Sequence, residues 1–274
     1  MRSAKSLGAV LLSTVALQVP PAAAQATVGA DVALFSSYVW RGVSLTNRPV
    51  AQPNVYLTLP TGKATFTAGG WANVDVGAYD DPTSDISQSG GASSFNLAEF
   101  DPWAEVSVPV GKAIVTGGVV GYVYPNDPPA AATADVNTWE LYGKVGLGVP
   151  LSPKLAVYYD VDKVNGAYLE GTIAHAVPIG RMSLNLGALA GFSAGQAEST
   201  EDINNFAENG FTHLDLSAGM PIPAGVLSIT PVFHFLVNGD AVTKITSPTD
   251  ESDVKAWGGV TISWTRALGK TGGE

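Results

Sequence analysis

The stretch ELYGKVGLGVPLSPKLAVYYDVD, residues 140–162, decides how the chain is read. In its first half Leu141, Val145, Leu147 and Val149 alternate with Glu140, Tyr142 and Lys144; in its second, Leu155, Val157, Tyr159 and Val161 alternate with Lys154, Tyr158, Asp160 and Asp162. A period of two sends successive side chains to opposite faces of a strand, so each half reads as a strand with one apolar and one polar face. Between them stands Val149-Pro150-Leu151-Ser152-Pro153-Lys154, where proline withholds a ladder donor and so ends one strand before the next begins.

The same punctuation recurs along the chain. Leu59-Pro60-Thr61-Gly62-Lys63, Val108-Pro109-Val110-Gly111-Lys112, Val177-Pro178-Ile179-Gly180-Arg181 and Met220-Pro221-Ile222-Pro223-Ala224-Gly225 bring the short turns to five. Longer polar segments lie between them, near 44–53, 76–93, 125–137, 163–166, 193–209 and 238–252. They hold Asp80, Asp81, Asp85, Asp127, Asp135, Glu198, Glu201, Asp202, Glu208, Asp240, Asp250 and Glu251. Short turns alternating with long loops is the arrangement of transmembrane barrels at their periplasmic and extracellular ends. The expected fold is therefore all-β, an antiparallel up-and-down barrel of about twelve strands with both ends of the chain on the short-turn side. The first strand sets Val28, Ala30, Val32, Leu34, Tyr38 and Trp40 against Asp31, Ser37 and Arg41; the last sets Val254, Ala256, Val260, Ile262 and Trp264 against Lys255, Thr261, Ser263 and Thr265.

Alternation alone would also suit a soluble sandwich or a lipocalin-like barrel. Composition separates the readings: 14% of residues are charged and 46% hydrophobic, against roughly 25% charged in soluble domains. A soluble barrel of this size would also have to fill its middle, yet many inward candidates are small. No run of 18 apolar residues follows Gln25, so helices cannot carry the mature chain across a bilayer. The chain opens with Arg2 and Lys5, an apolar run from Leu7 to Val19, and Ala22-Ala23-Ala24, the layout of a secretory signal peptide cleaved before Gln25. The expected division is a signal peptide over 1–24, one barrel domain over 25–265 and a flexible tail over 266–274. Tyr38, Trp40, Tyr122, Tyr124, Trp139, Phe192, Trp257 and Trp264 fall near strand ends and suit interfacial aromatic girdles, with Trp257 a candidate for the interior. There is no cysteine, and a net charge of -10 excludes a basic stripe for nucleic acid.

At Tyr38-Val39-Trp40-Arg41-Gly42-Val43-Ser44, followed by Thr46, Pro49 and Gln52, the sequence resembles the TorF family of porins of Gram-negative bacteria, which opens its mature region with an aromatic-x-x-Arg-Gly-x-Ser-x-Thr segment. Leu45 and Pro53-Asn54 depart from that pattern. The resemblance implies an outer-membrane channel and supplies no catalytic residues.

On the polar face the candidates for lining the lumen are Asp31, Arg41, Glu99, Asp101, Glu105, Glu140, Lys144, Asp160, Asp162, His213, Asp215, His234 and Lys255, with Asp75, Lys163 and Glu170 close to it. Acidic groups outnumber basic ones, so a conducting lumen is expected to prefer cations weakly. A narrow barrel could equally use these charges as interior pairs, and Arg41, with its bidentate guanidinium and neighbouring Gly42, is the first candidate for such a pair. His175, His213 and His234 sit in no recognisable arrangement with serine, so an outer-membrane lipase is not expected. The acidic loops lack the spacing of a calcium loop, and no cofactor or metal is expected. The expected function is passive diffusion of small solutes across the outer membrane; the alternative is a non-conducting barrel with a structural or adhesive role. Expected partners are outer-membrane lipid and lipopolysaccharide, periplasmic chaperones and the barrel-assembly machinery.

Overall fold

A computed structural model describes residues 25–81, 83–87, 89–91, 93–126, 137–196, 205–245 and 252–269. The expected signal peptide, the loop residues Asp127, Asp135, Glu198, Glu201, Asp202, Asp250 and Glu251, and the last five residues lie outside these.

Fifteen strands are numbered in chain order: β1 (Thr27–Phe35), β2 (Tyr38–Trp40), β3 (Val43–Thr46), β4 (Val50–Thr61), β5 (Ala64–Asp75), β6 (Asn96–Val110), β7 (Ala113–Tyr122), β8 (Thr138–Leu147), β9 (Lys154–Asp160), β10 (Ala167–Ile179), β11 (Met182–Ala194), β12 (Gly210–Gly219), β13 (Ile222–Ala224), β14 (Leu227–Asn238) and β15 (Val254–Ala267). One helical turn, α1 (Asp240–Thr243), follows β14. Twelve strands form the wall: β1 pairs with both β4 and β15, β12 pairs with β14, and each remaining wall strand pairs with its neighbours, all antiparallel. The wall is thus a closed barrel, with no edge strand among its twelve. The five short turns lie at one rim and the six longer connections at the other, as the turn pattern predicts.

Register sets the two faces. Residues opposite each other in an antiparallel pair share a face, and Leu34 with Val260, Val32 with Ile262 and Ala30 with Trp264 point outward where the first and last strands meet. Leu141 and Tyr159 pair on the outside, while Glu140 with Asp160 and Tyr142 with Tyr158 pair on the inside. Val55, Val106, Leu155, Ile173, Leu216 and Phe233 are all exposed on the outer wall, an apolar belt with the character of a lipid-facing surface.

Three expectations are corrected. The first wall strand stops at Phe35, and Tyr38, Trp40 and Arg41 belong to a separate β2–β3 hairpin; the first long connection is therefore 36–49. Of the expected girdle, Tyr38, Trp40, Tyr122 and Tyr124 are buried inside, whereas Trp139 and Phe192 are exposed outside. The last strand runs on to Ala267, with Arg266 opposite Val28 and Ala267 opposite Thr27, because the strand it closes against begins at Thr27; the wall therefore extends two residues into the expected tail.

Candidate functional site in the barrel interior

The interior differs from one rim to the other. Toward the short turns it is lined by small hydroxyl side chains, with Thr58 and Thr67 3.3 Å apart and Ser107 and Thr116 2.8 Å apart. There Glu105 accepts hydrogen bonds from Lys144 (3.2 Å) and Tyr142 (3.0 Å), and both members of the ion pair stay a quarter exposed. Tyr142 lies flat across the next strand because Gly118 stands opposite it; a Cβ at Gly118 would collide with the ring. Toward the long loops the interior is closely packed: Thr46, Asn73, Asp75, Glu99, Ser193 and Thr212 have no accessible surface.

What fills it is the β2–β3 hairpin, which folds inward from the first long connection. Its tip has φ of 47° at Arg41 and 94° at Gly42, and positive φ at both central residues is the tight-turn geometry that matches strand twist. Glycine meets this readily; arginine does so at a cost of about 1–3 kcal/mol, which the surroundings must offset. At Gly42 there is also no room for a side chain, since a Cβ would sit 2.6 Å from Asn238 Oδ1.

The offset is visible around Arg41. Its Nη1 and Nη2 each donate to one oxygen of Glu140, both at 2.7 Å. The guanidinium lies 4.1 Å from the Tyr168 ring centre, 4.6 Å from that of Trp40 and 5.0 Å from that of Tyr158. Glu140 also accepts from Tyr122 Oη (2.7 Å) and, more distantly, Gln196 Nε2 (3.5 Å). With the two charged side chains 3% and 1% exposed, the fork and the ring faces take over the role of water for both ions.

Further contacts hold the hairpin. Tyr38 Oη donates to Glu99 (2.8 Å), which Tyr124 Oη also reaches (3.1 Å). Lys255 Nζ donates to the Gly42 carbonyl and to Ser44 Oγ, both at 2.7 Å, and Asn238 Nδ2 donates to the same carbonyl at 3.2 Å. Trp40 stacks on Phe206, which stacks in turn on Tyr168. Beside the hairpin a cavity of about 90 Å³ is bordered by Tyr38, Trp71, Leu236 and Trp257. At its edge His234 stacks on Trp257, 4.7 Å between centroids, and its Nδ1 lies 2.8 Å from Asp215.

The structure thus brings Arg41, Glu99, Glu140, His213, Asp215, His234 and Lys255 around or against one hairpin, with Asp101 buried on the same face of β6 as Glu99. Glu105 and Lys144 form a separate pair nearer the short turns, and Asp31 faces inward opposite Asn54, whose Nδ2 lies 3.4 Å from it. Glu170 borders the cavity. Asp75 accepts from Ser87 and Ser89 of the second long loop. Asp160 ties down the tight connection after β9: it accepts from Thr138 Oγ1 (2.8 Å) and from the backbone N–H groups of Asp162, Val164 and Asn165. Asp162 is a correction. The strand ends at Asp160, so alternation stops there, and Asp162 stands in that connection with its side chain 46% exposed, 3.6 Å from Lys163. The residues that sequence reasoning missed are the tyrosines 122, 158 and 168 and Gln196; the tyrosines' place on the polar side of alternating strands was the available signal.

The closed wall, the apolar outer belt and the polar interior with an inward-folded loop define a twelve-stranded β-barrel of the bacterial outer-membrane type. The chain belongs to the family described as bacterial protein of unknown function (Gcw_chp), whose model matches residues 20–245. Among curated proteins none matches it. Among solved structures it is similar to an outer membrane channel of Pseudomonas putida F1, over 91% of this chain and 98% of that one, with a TM-score of 0.51 at 9% identity. It is also similar to the β domain of the Bordetella autotransporter BrkA (88% and 98% covered, TM-score 0.35, 9% identity) and to OprE of Pseudomonas aeruginosa (89% and 98% covered, TM-score 0.35, 10% identity). At such identities the first likeness speaks for the fold alone.

Proposed function

We propose that this barrel is an outer-membrane channel for passive diffusion of small solutes, shut at its long-loop end by the Tyr38–Thr46 hairpin. The carrying observation is the contrast within the interior: a hydroxyl-lined half that water can wet, and a half closed by one hairpin anchored through Arg41 and Glu140. A barrel meant only as a wall has no need of that division. The resemblance of the hairpin's own sequence to TorF porins supports the same reading. In this reading the long loops face outward from the cell, the short turns face the periplasm, and residues 1–24 are removed on export. The apolar belt meets lipid, and the acidic loops meet lipopolysaccharide and its divalent ions. Chaperones and the assembly machinery act during biogenesis, and the chain performs no catalysis. The excess of inward carboxylates, Asp31, Glu99, Asp101, Glu105, Glu140 and Asp215 among them, favours cations weakly in an open lumen.

The filled outer half also suits the second reading, a non-conducting barrel with a structural or adhesive role. Conductance in planar bilayers separates them. The intact protein is expected to give rare, small openings, and a variant whose residues 38–46 are replaced by a short Gly-Ser link is expected to give larger, steady ones with a cation-side reversal potential. A heat-modifiable, folded barrel that stays silent in both forms would establish the second reading; anion preference would remove the selectivity claim alone.

A further inference from the structure

The pocket that holds Arg41 is made almost wholly by the wall. Glu140 comes from β8, Tyr122 from β7, Tyr158 from β9 and Tyr168 from β10, four adjacent strands; only the Trp40 ring arrives with the hairpin. The residues of this slot therefore belong to the barrel wall and not to the hairpin. With the hairpin in place Glu140 is 1% exposed and paired; withdrawal of the tip removes its counter-charge and leaves a carboxylate, held by Tyr122 Oη and flanked by low-dielectric ring faces, that attracts another cation. The site therefore favours a cation.

Its shape says which kind. Each Glu140 oxygen receives one N–H in parallel at 2.7 Å, and Tyr122 Oη fixes the carboxylate from the side. The Tyr168 and Tyr158 rings, 4.1 Å and 5.0 Å from the guanidinium carbon and tilted 41° to each other, add two π faces beside that carboxylate. A planar fork fits both features, whereas an ammonium is a compact point charge that presents no paired edge. Contact is made through the two terminal nitrogens, while Arg41 Nε has no hydrogen-bond partner. Recognition thus reads the outer edge of a guanidinium and makes no hydrogen bond to the third nitrogen.

We propose that the outer half of the lumen is a binding site for small guanidinium-bearing cations, and that Arg41 occupies it in the closed barrel as a tethered copy of that ligand. As a statement about the transported solute this rests on the channel reading; as a statement about binding it does not. Entry of a free guanidinium displaces the hairpin tip, against a tether whose effective concentration is on the order of millimolar or above and against the separate grip of Lys255 and Asn238 on the Gly42 carbonyl.

The test uses the full barrel refolded in detergent. Arg41→Ala is expected to lower the thermal midpoint. Guanidinium chloride at low, non-denaturing millimolar concentration is expected to restore most of that loss saturably, while sodium and methylammonium chloride at equal ionic strength do not, and the rescue is expected to vanish in Arg41→Ala/Glu140→Gln. Equal effects of the three salts, or rescue that survives Glu140→Gln, would overturn the proposal. Should Arg41→Ala fail to fold, the unmodified barrel serves: agmatine is expected to expose the Arg41–Gly42 bond to trypsin and putrescine, its diamine counterpart, to leave it protected, with equal cleavage overturning the idea. Guanidinium rescue in a barrel that never conducts would uphold the site and refute the channel.

Discussion

At the tip of the hairpin, Gly42 combines a φ of 94° with a space that admits no Cβ, so Gly42→Ala carries both backbone strain and a clash with Asn238. The strain alone is on the order of 1–3 kcal/mol, and the expected result is a lower urea midpoint in detergent with the barrel's strand content retained, since the wall strands do not pass through this residue. A substitution as mild as wild type would show that the tip is free to move aside. A second residue-scale expectation concerns the loop between β5 and β6. Asp81 accepts from Thr83 Oγ1 (2.7 Å), the Thr83 N–H (3.0 Å) and Ser84 Oγ (2.8 Å), and these bonds hold its carboxyl at about 2 rather than the ordinary 3.8. Because the folded value is depressed, the contribution to loop order is fully present above the unfolded value and disappears as pH falls through the folded one. Hydrogen exchange at the Thr83 amide is expected to stay slow at neutral pH and to accelerate, relative to its intrinsic rate, between pH 3.8 and about 2; Thr83→Ala moves that onset upward, and an onset unmoved by the variant would show that Asp81 is not the group responsible.

At the scale of the element, the hairpin is a unit held by one buried ion pair and a few polar contacts, and removing one partner of such a pair leaves the other charge stranded at about 3–5 kcal/mol. Glu140→Gln is therefore expected to release the hairpin toward water, read as trypsin cleavage after Arg41 in the variant and protection in the parent, with cleavage after the exposed Lys63 as internal reference. Protection in both would assign the closure to Lys255, Asn238 and Tyr38 instead. The same element marks where the sequence could and could not be read. Wall strands such as β8 and β9 were legible because one face meets an apolar surround and the other a polar one, and proline-containing turns cut them cleanly. Tyr38 and Trp40 continue the period-two pattern of Val28–Leu34, so alternation could not distinguish a strand in the wall from a hairpin packed within it. The distinguishing features were local: two serines at 36 and 37, and an Arg-Gly pair at a tight turn. That Arg41 would form a fixed interior pair followed from guanidinium chemistry, but its partner lies 99 residues away and is set by barrel closure, which no local pattern encodes. For the same reason nearness to strand ends points Tyr122 and Tyr124 to the rim, whereas closure of the barrel places their hydroxyls on Glu140 and Glu99 inside.

For the whole molecule, the decisive physical fact is which way the apolar side of the sheet points, and two neighbouring residues of β12 test it. Leu216 faces outward, opposite Phe235 of β14 and Ala188 of β11, and is 45% exposed; Ser217 faces inward, opposite His234 and Gly187. In a soluble barrel the outward residue would meet water and accept a charge without penalty, whereas in a bilayer an arginine near the midplane of the lipid face costs about 2–4 kcal/mol. Leu216→Arg is therefore expected to lose stability of that size in reversible unfolding from lipid vesicles and little in water-accessible detergent. Ser217→Arg, on the lumen side, is expected to be nearly neutral in vesicles and to act on ion selectivity instead, shifting it toward anions if the lumen conducts as proposed. The two substitutions add the same side chain one position apart, so propensity and unfolded-state effects largely cancel between them. A Leu216→Arg barrel as stable in vesicles as Ser217→Arg would mean that the outer belt does not meet acyl chains, and the membrane reading of the fold would fail with it.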